Sequence, residues 1–163
     1  MTRVMALDVG EARIGVAVSD ATGFLASPYT TLHVSRSEQE NWRAIQRLIE
    51  ETGAERLVVG LPISLDGKIH AQGERVQSFA RRLQPHITIP LIFWDERLST
   101  VEAQRLLAQR GSEERGDRQR RASRNRSQTK RRRHGQEIDA LAAAVILQDY
   151  LDHLGSRAED KHL

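Results

Sequence analysis

The feature that most constrains this fold is the segment from Val4 to Asp20, in which a short glycine-containing link joins two apolar runs. Both runs are suited to buried strands, so the segment predicts a β-hairpin. Asp8 interrupts the first run, and a buried carboxylate needs a partner such as a bound cation, or contact with solvent at the edge of the sheet. In the structural alternative, Asp8 caps the following turn.

Length and composition limit the class of protein. A chain of 163 residues fits one domain with a substantial core, and we expect a single domain over residues 1–163. The absence of cysteine excludes disulfide scaffolds, zinc–cysteine sites and thiol catalysis. No apolar run reaches the ~18 residues of a membrane span, and the N-terminus does not resemble a signal peptide. We therefore expect a cytoplasmic protein with no membrane partner.

The charge is unevenly distributed. Between Arg110 and Arg133 the basic residues exceed the acidic ones by eight, whereas the rest of the chain has a net charge of −5. An arginine-rich segment on an acidic body indicates a polyanionic partner, because arginine can contact a phosphate through two parallel hydrogen bonds. The alternative is a solvated charge run. With almost no large apolar residue, the segment 110–135 is predicted to be a flexible insert.

The remaining chain predicts an α/β fold, because strand patterns alternate with helical ones after the hairpin. Helical periodicity and end signals predict helices from Ser37 to Gly53, from Ala71 to Gln84, from Ser99 to about Gly111 and from Gln136 to about Leu154. Ser37 and Glu40 have the spacing of a capping box, and Gly53 is a stop signal. Further strands are predicted at 29–34, 56–60 and 90–94, with residues 26–28 outside the first of these.

A loop with glycine, proline and an Asp-Gly turn follows the strand at 56–60. The carboxyl ends of strands in an open α/β sheet are frequent sites of ligand contact, so residues 60–67 are a candidate ligand loop. Glycine and proline also shape ordinary turns, and the sequence does not separate the two interpretations.

Two more acids stand at element boundaries. Asp95 and Glu96 directly follow the strand predicted at 90–94, and Glu96 is the candidate of the two. Asp139 lies in an otherwise apolar stretch of the last predicted helix. Each has a structural explanation, since acids near a helix N-terminus interact favourably with the helix dipole by ~0.3–1 kcal/mol. For Asp139, however, a charged side chain among apolar neighbours adds little stability unless a cation lies opposite it.

Asp8, Glu96 and Asp139 together suggest a metal site. Oxygen ligands without cysteine suit a hard cation such as Mg²⁺ or Mn²⁺. Two such ions about 3.5–4 Å apart can stabilise both the attacking and the leaving oxygen of a phosphodiester. An acidic trio with an arginine-rich segment thus points to a nuclease.

Four motifs, in order along nearly the whole chain, resemble the YqgF family, also called RuvX, a Holliday-junction-resolvase-like family of pre-16S rRNA nucleases. The motifs are the hairpin 6–17, the loop 59–67, the run Asp95-Glu96-Arg97-Leu98-Ser99-Thr100 and the helix 138–151. One motif alone would be weak, but their order makes the match specific.

The resemblance implies a ribonuclease H-like fold, a five-stranded mixed sheet with helices on both faces. It also implies metal-dependent phosphodiester hydrolysis in maturation of the 5′ end of 16S rRNA, by an endonuclease or a 5′-processing ribonuclease. The family's acids fall on Asp8, Glu96 and Asp139, as catalytic residues and as ligands of Mg²⁺ or Mn²⁺. The residues expected to contact substrate phosphates are Arg13, Arg97, Arg131, Arg132 and Arg133. Arg13 and Arg97 could instead pair with neighbouring carboxylates.

The partners implied are RNA, namely pre-16S rRNA, or structured DNA, together with ribosomal precursor particles. The chain departs from the family in its long arginine-rich tract before Ile138, where a shorter basic connection is usual. A monomer and a homodimer both remain open. A Holliday junction resolvase would need a symmetric dimer, and a non-catalytic RNA-binding assembly or transcription factor is the alternative without cleavage. An actin-like ATPase is excluded, since 163 residues cannot form its two lobes.

Overall fold

A five-stranded mixed sheet forms the centre of the computed structural model, which describes residues 2–64, 66–95 and 127–160. The strands are β1 (Val4–Val9), β2 (Arg13–Ser19), β3 (Ala26–His33), β4 (Arg56–Leu61) and β5 (Leu91–Asp95), and the helices are α1 (Glu38–Thr52), α2 (Ala71–Leu83) and α3 (Ser127–Asp160). The strand order is β3-β2-β1-β4-β5, with antiparallel pairs from β1 to β3 and parallel pairs from β1 to β5. The predicted mixed α/β sheet is confirmed.

Helices cover both faces of the sheet, because β1 is apolar on each face. Met5 and Leu7 belong to the core shared with α1 and α2, whereas Val4 and Ala6 belong to the core shared with α3. Successive strand residues point to opposite faces, so a run of apolar residues without alternation fits a strand buried on both sides. β1 is therefore the central strand, with helices packed on both of its faces. By the same alternation, Asp8 lies on the face that α3 covers.

Local signals set the bounds of α1. Its apolar stripe includes the buried Trp42 and Ile45, and Gly53 ends the helix in the left-handed conformation with φ 69°. The predicted capping box is wrong: the Ser37 side chain makes no capping hydrogen bond, and Glu40 instead accepts one from Ser35 Oγ at 2.6 Å. The sequence thus predicted where α1 begins and ends, but not which side chains cap it.

Two predicted boundaries are corrected. β3 begins at Ala26 rather than Tyr29 and includes Pro28, which an edge strand tolerates because one side of it needs no ladder hydrogen bonds. α3 begins at Ser127 rather than Gln136, so residues 127–135 are helical. Lysine, arginine and glutamine are good helix formers, and extending an existing helix adds a hydrogen bond per residue without requiring an apolar face.

Other predictions lie outside the described residues. These are Glu96, Arg97, the helix from Ser99 to Gly111 and residues 110–126 of the arginine-rich segment. The backbone of Arg131, Arg132 and Arg133 is part of α3, but the structure does not describe their side chains. Within the ranges that the structure covers, none of the helices has the length and apolar character required to cross a membrane.

Candidate active site

The turn between β1 and β2 fixes the position of Asp8. Gly10 N–H donates to the carbonyl oxygen of Arg13 at 2.9 Å, and a Cβ on Gly10 would lie only 2.8 Å from that oxygen. The tight turn therefore requires glycine, and it sets the register in which Asp8 pairs with Gly15. Both positions are on the α3 face of the sheet.

Gly15 lets α3 approach the sheet at Asp139. A Cβ on Gly15 would lie 1.9 Å from the carbonyl oxygen of Asp139 and 3.1 Å from the nitrogen of Ala140. The helix backbone thus occupies the space that any other side chain at position 15 would need. Because Gly15 is the strand neighbour of Asp8, this contact brings Asp139 beside Asp8.

The contact belongs to a regular packing pattern between α3 and β2. Two residues of a strand advance about 6.6 Å and four residues of a helix about 6 Å, so side chains on one face of each can stay in step. Two contacts follow this spacing, Arg13 with Gly135 and Gly15 with Asp139, and at the next step Ala17 and Ala143 belong to one buried cluster. The small residues in each pair allow the close approach.

The surroundings of Asp139 disfavour the charged form of its carboxyl group. Its side chain is 24% exposed, and Arg13 Nε lies 2.8 Å from its Oδ2. This contact is an ion pair without hydrogen-bond geometry, and within the described part of the chain the buried Oδ2 accepts no hydrogen bond. Burial raises the pKa of the Asp139 carboxyl above its ordinary value, although Arg13 and His33 act in the opposite direction. A bound cation would therefore stabilise the ionised carboxylate of Asp139.

A polar network around Asp139 was not foreseen from the sequence. Thr31 Oγ1 donates to the carbonyl oxygen of Gln136 at 2.7 Å, and the Gln136 side-chain nitrogen lies 2.9 Å from His33 Nε2. These contacts tie β3 to the turn of α3 that precedes Asp139. The only sequence signal was the pair of glycines at positions 15 and 135, since glycine inside a strand or helix often marks a close backbone approach.

The end of β5 lies at the same edge of the sheet as Asp8. Leu7, Val59 and Phe93 form one row across β1, β4 and β5, so Trp94 is level with Asp8 and Asp95 is one residue beyond. Glu96 follows directly but is outside the described residues. Among the residues that are described, no group of three acidic or histidine side chains could hold a metal ion. The structure thus places Asp8 and Asp139 together, and the full trio stays a prediction.

Similarity to known proteins identifies the family of this chain. Residues 2–123 match the family model of RuvX, described as a Holliday junction resolvase. The chain belongs to the RuvX family.

Relatives of this RuvX chain carry the provisional name pre-16S rRNA nuclease. One from Roseiflexus sp. (strain RS-1) is 46% identical over 92% of this chain and 94% of its own length. Another, from Moorella thermoacetica, is 41% identical over 94% of this chain and 96% of its own. Each match covers more than nine-tenths of both chains.

The fold of the RuvX chain is that of the RuvC nucleases, a ribonuclease H-like fold. Thermus thermophilus RuvC, solved in complex with a Holliday junction substrate, aligns with a TM-score of 0.52 at 15% identity. The alignment covers 95% of this chain and 97% of the RuvC chain. At this identity the comparison supports the fold alone.

The donor set of this RuvX site fits a divalent cation. Asp8 and Asp139 are neighbouring acids on the α3 side of the sheet, and no cysteine is present to favour a softer metal. The buried Oδ2 of Asp139, without a hydrogen bond from the described residues, is the kind of atom that a bound cation would satisfy. Arg13 Nε, 2.8 Å from that oxygen, already places a positive charge beside it.

Proposed function

We propose that this protein is a metal-dependent nuclease that hydrolyses phosphodiester bonds of precursor 16S rRNA as its 5′ end matures. The observation that supports this most is the contact of Asp139 with Gly15, beside Asp8. It brings together two acids that are 131 residues apart in the chain. The names of the relatives suggest the substrate.

Asp8, Glu96 and Asp139 are the proposed ligands and catalytic residues. Asp8 would be the central ligand, since it comes from the middle strand of the sheet. The group held there is one or two ions of Mg²⁺ or Mn²⁺, which when bound would activate water and offset charge on the phosphate. Glu96 is proposed from its place after β5 in the sequence alone.

Arg13 is the proposed phosphate contact whose side chain the structure describes, and it lies against Asp139. Its side chain is 38% exposed, so a small movement could exchange the carboxylate for a substrate phosphate. Both contacts use the planar guanidinium, which matches carboxylate and phosphate equally well. Arg97, Arg131, Arg132 and Arg133 are proposed as further phosphate contacts that position the strand without reading its sequence.

The cellular setting follows from the substrate. Precursor rRNA, free or in ribosomal precursor particles, places the proposed activity in the cytoplasm. Hydrolysis at a single site needs only one copy of the chain, so a monomer suffices.

Replacing Asp8 with asparagine should abolish cleavage and retain most RNA binding. Asparagine keeps the size of the side chain but removes the negative charge needed to hold a divalent ion. The purified protein with Mn²⁺ or Mg²⁺ should cleave a single-stranded RNA from the 16S precursor, and Asp8→Asn should reduce the rate by at least about 100-fold. Gel analysis of end-labelled RNA gives the rate and the position of the cut.

A matched control is Asp152→Asn, which changes an exposed carboxylate of α3 outside the four motifs and the proposed site. This variant should cleave at close to the wild-type rate if Asp8 acts through the metal. Equal cleavage by Asp8→Asn and the wild type would show that the activity belongs to another site or to a contaminating nuclease.

A Holliday junction resolvase is the second candidate, favoured by the description of the matching family model. It would use the same acids on branched DNA, but two symmetric cuts require a twofold dimer. Cleavage of a four-way DNA junction in preference to the RNA, together with a dimeric mass in solution, would favour this activity. Tight RNA binding without any cleavage would instead favour a non-catalytic RNA-binding factor.

A further inference from the structure

A pocket of about 450 Å³ lies on the face of the sheet opposite Asp139. Val9, Gly10 and Glu11 form one wall, and Val9 packs against the core shared with α1 and α2. Since consecutive Cα atoms are 3.8 Å apart, the Cα of Gly10 lies within about 8 Å of that of Asp8. The pocket and the acids are therefore on opposite sides of one hairpin, at the same edge of the sheet.

The pocket combines an apolar floor with a polar rim. The floor includes Val76 and Phe79, which are the outer part of a buried core. The rim is formed by exposed side chains of α2 that can donate hydrogen bonds, namely Gln72, Arg75, Ser78 and Arg82. A volume of this size is sufficient for a planar heterocycle, and the combination of apolar floor and few polar groups is typical of small-ligand sites.

The two rim arginines are held in exchangeable ion pairs. Arg75 pairs with Glu11 of the hairpin and Arg82 with Glu38 of α1. All four side chains are at least half exposed, and ion pairs at such positions contribute only ~0–1 kcal/mol. A phosphate can replace either glutamate, because it offers the guanidinium the same two acceptor oxygens with more charge.

The charges of α2 favour an anionic occupant. The helix has three arginines, Arg75, Arg81 and Arg82, and one acid, Glu74. Arg75 and Arg82 are seven residues apart, which places them two turns, or about 10 Å, apart along the helix. They can therefore contact phosphates on either side of a base that enters the pocket between them.

We propose that this pocket binds an unpaired base of a single-stranded RNA, with the flanking phosphates on Arg75 and Arg82. The proposal rests on the proposed nuclease function and deepens it. A strand that crosses the edge of the sheet from Asp8 to the α2 face reaches the pocket after one or two nucleotides. A base paired in a duplex cannot enter, so the site selects single-stranded substrate near the scissile bond.

The test measures binding without catalysis. Fluorescence anisotropy in the presence of EDTA compares a short single-stranded RNA, the same RNA in a duplex, and AMP as a free nucleotide. Ser78→Phe fills the pocket from its exposed rim and should weaken single-strand binding about tenfold, close to the effect of removing one stacked base. Replacing Arg75 and Arg82 with glutamine should also lower the slope of log affinity against log salt by roughly 1.

Arg81→Gln is the matched control, because Arg81 is exposed on the same helix but does not line the pocket. It should change single-strand affinity less than twofold. A 2-aminopurine placed in the RNA reports base entry, and its fluorescence change should be lost in Ser78→Phe. Thermal melting by circular dichroism establishes that each variant is folded.

Wild-type affinity and fluorescence change in Ser78→Phe would overturn the proposal, as would equal binding of the duplex. Equal losses in Arg81→Gln and in the Arg75 and Arg82 variant would show a general effect of charge and would also overturn it. Tight binding of AMP alone would reassign the pocket to a free nucleotide. If the pocket variants lose binding but the wild type does not cleave RNA, the pocket stands and the nuclease function fails.

Discussion

At Asp139 the stability of the fold and the proposed metal binding place opposite demands on the carboxyl group. Burial raises the pKa of this carboxyl, so its ionised form is less favourable in the folded protein than in the unfolded chain. The penalty is absent below the ordinary pKa of 3.8, grows as pH rises through the raised value, and is complete above it. A bound cation would remove the penalty, which explains why a site for metal can tolerate it.

Asp139→Asn should therefore stabilise the metal-free protein at neutral pH. We expect its melting temperature to rise on the order of 2 °C, as for the loss of a strained functional group in a domain of this size. The gain should vanish near pH 3.5, since both forms are then neutral. Scanning calorimetry from pH 3 to 8 in EDTA gives the profile, and added Mn²⁺ should stabilise the wild type more than the variant.

Asp20→Asn is the control of opposite sign. Hydrogen bonds from the Thr22 hydroxyl and the Leu25 backbone lower the pKa of the Asp20 carboxyl. Its contribution is present above the ordinary pKa and is lost as pH falls through the lowered one, so this variant should be less stable than the wild type at neutral pH. A profile for Asp139→Asn with the same sign as that of Asp20→Asn would contradict the assignment of burial as the cause.

At the scale of elements, two glycines between α3 and β2 should respond in opposite ways to alanine. A Cβ on Gly15 meets the main chain of Asp139, which cannot move without shifting the helix. A Cβ on Gly135 would lie 2.5 Å from the end of the Arg13 side chain, which can rotate away. We expect Gly15→Ala to destabilise by about 1–3 kcal/mol, as overpacking does, and Gly135→Ala to be neutral or up to about 1 kcal/mol more stable.

Urea denaturation of both variants measures this difference. Gly15→Ala should also lose most cleavage, because moving α3 separates Asp139 from Asp8. Similar midpoints for the two variants would show that the helix can shift without cost and that its position over Gly15 does not hold the site together.

Elements were predictable where the signals are local. The apolar stripe of α1 and its Gly53 stop give its bounds directly, because they depend on residues within a few turns of one another. The early start of α3 was not predictable from periodicity, since residues 127–135 have no apolar face. The contact between Gly15 and Asp139 joins residues that are 124 positions apart in the chain. The sequence therefore identified the acids and the glycine as candidates, but it could not predict that they lie side by side.

For the whole molecule, the distribution of charge determines how a polyanion can bind. The chain outside residues 110–133 has a net charge of −5, so most of its surface repels nucleic acid. Binding must then depend on a few basic regions, of which the arginine-rich segment has the highest density of charge. Each phosphate contact to a single strand releases counterions and adds about −0.7 to the slope of log affinity against log salt.

Replacing Arg131, Arg132 and Arg133 with glutamine should reduce the magnitude of that slope by about 2. Glutamine keeps helix propensity close to that of arginine, so α3 should remain folded. The same charge change at the exposed Arg43, Arg47 and Arg81 of α1 and α2 should alter the slope by less than about half as much, because these residues face away from α3. Anisotropy titrations of single-stranded RNA between low and physiological salt measure both slopes. Equal slopes in the two triple variants would mean that net charge alone governs binding and that the start of α3 makes no phosphate contacts.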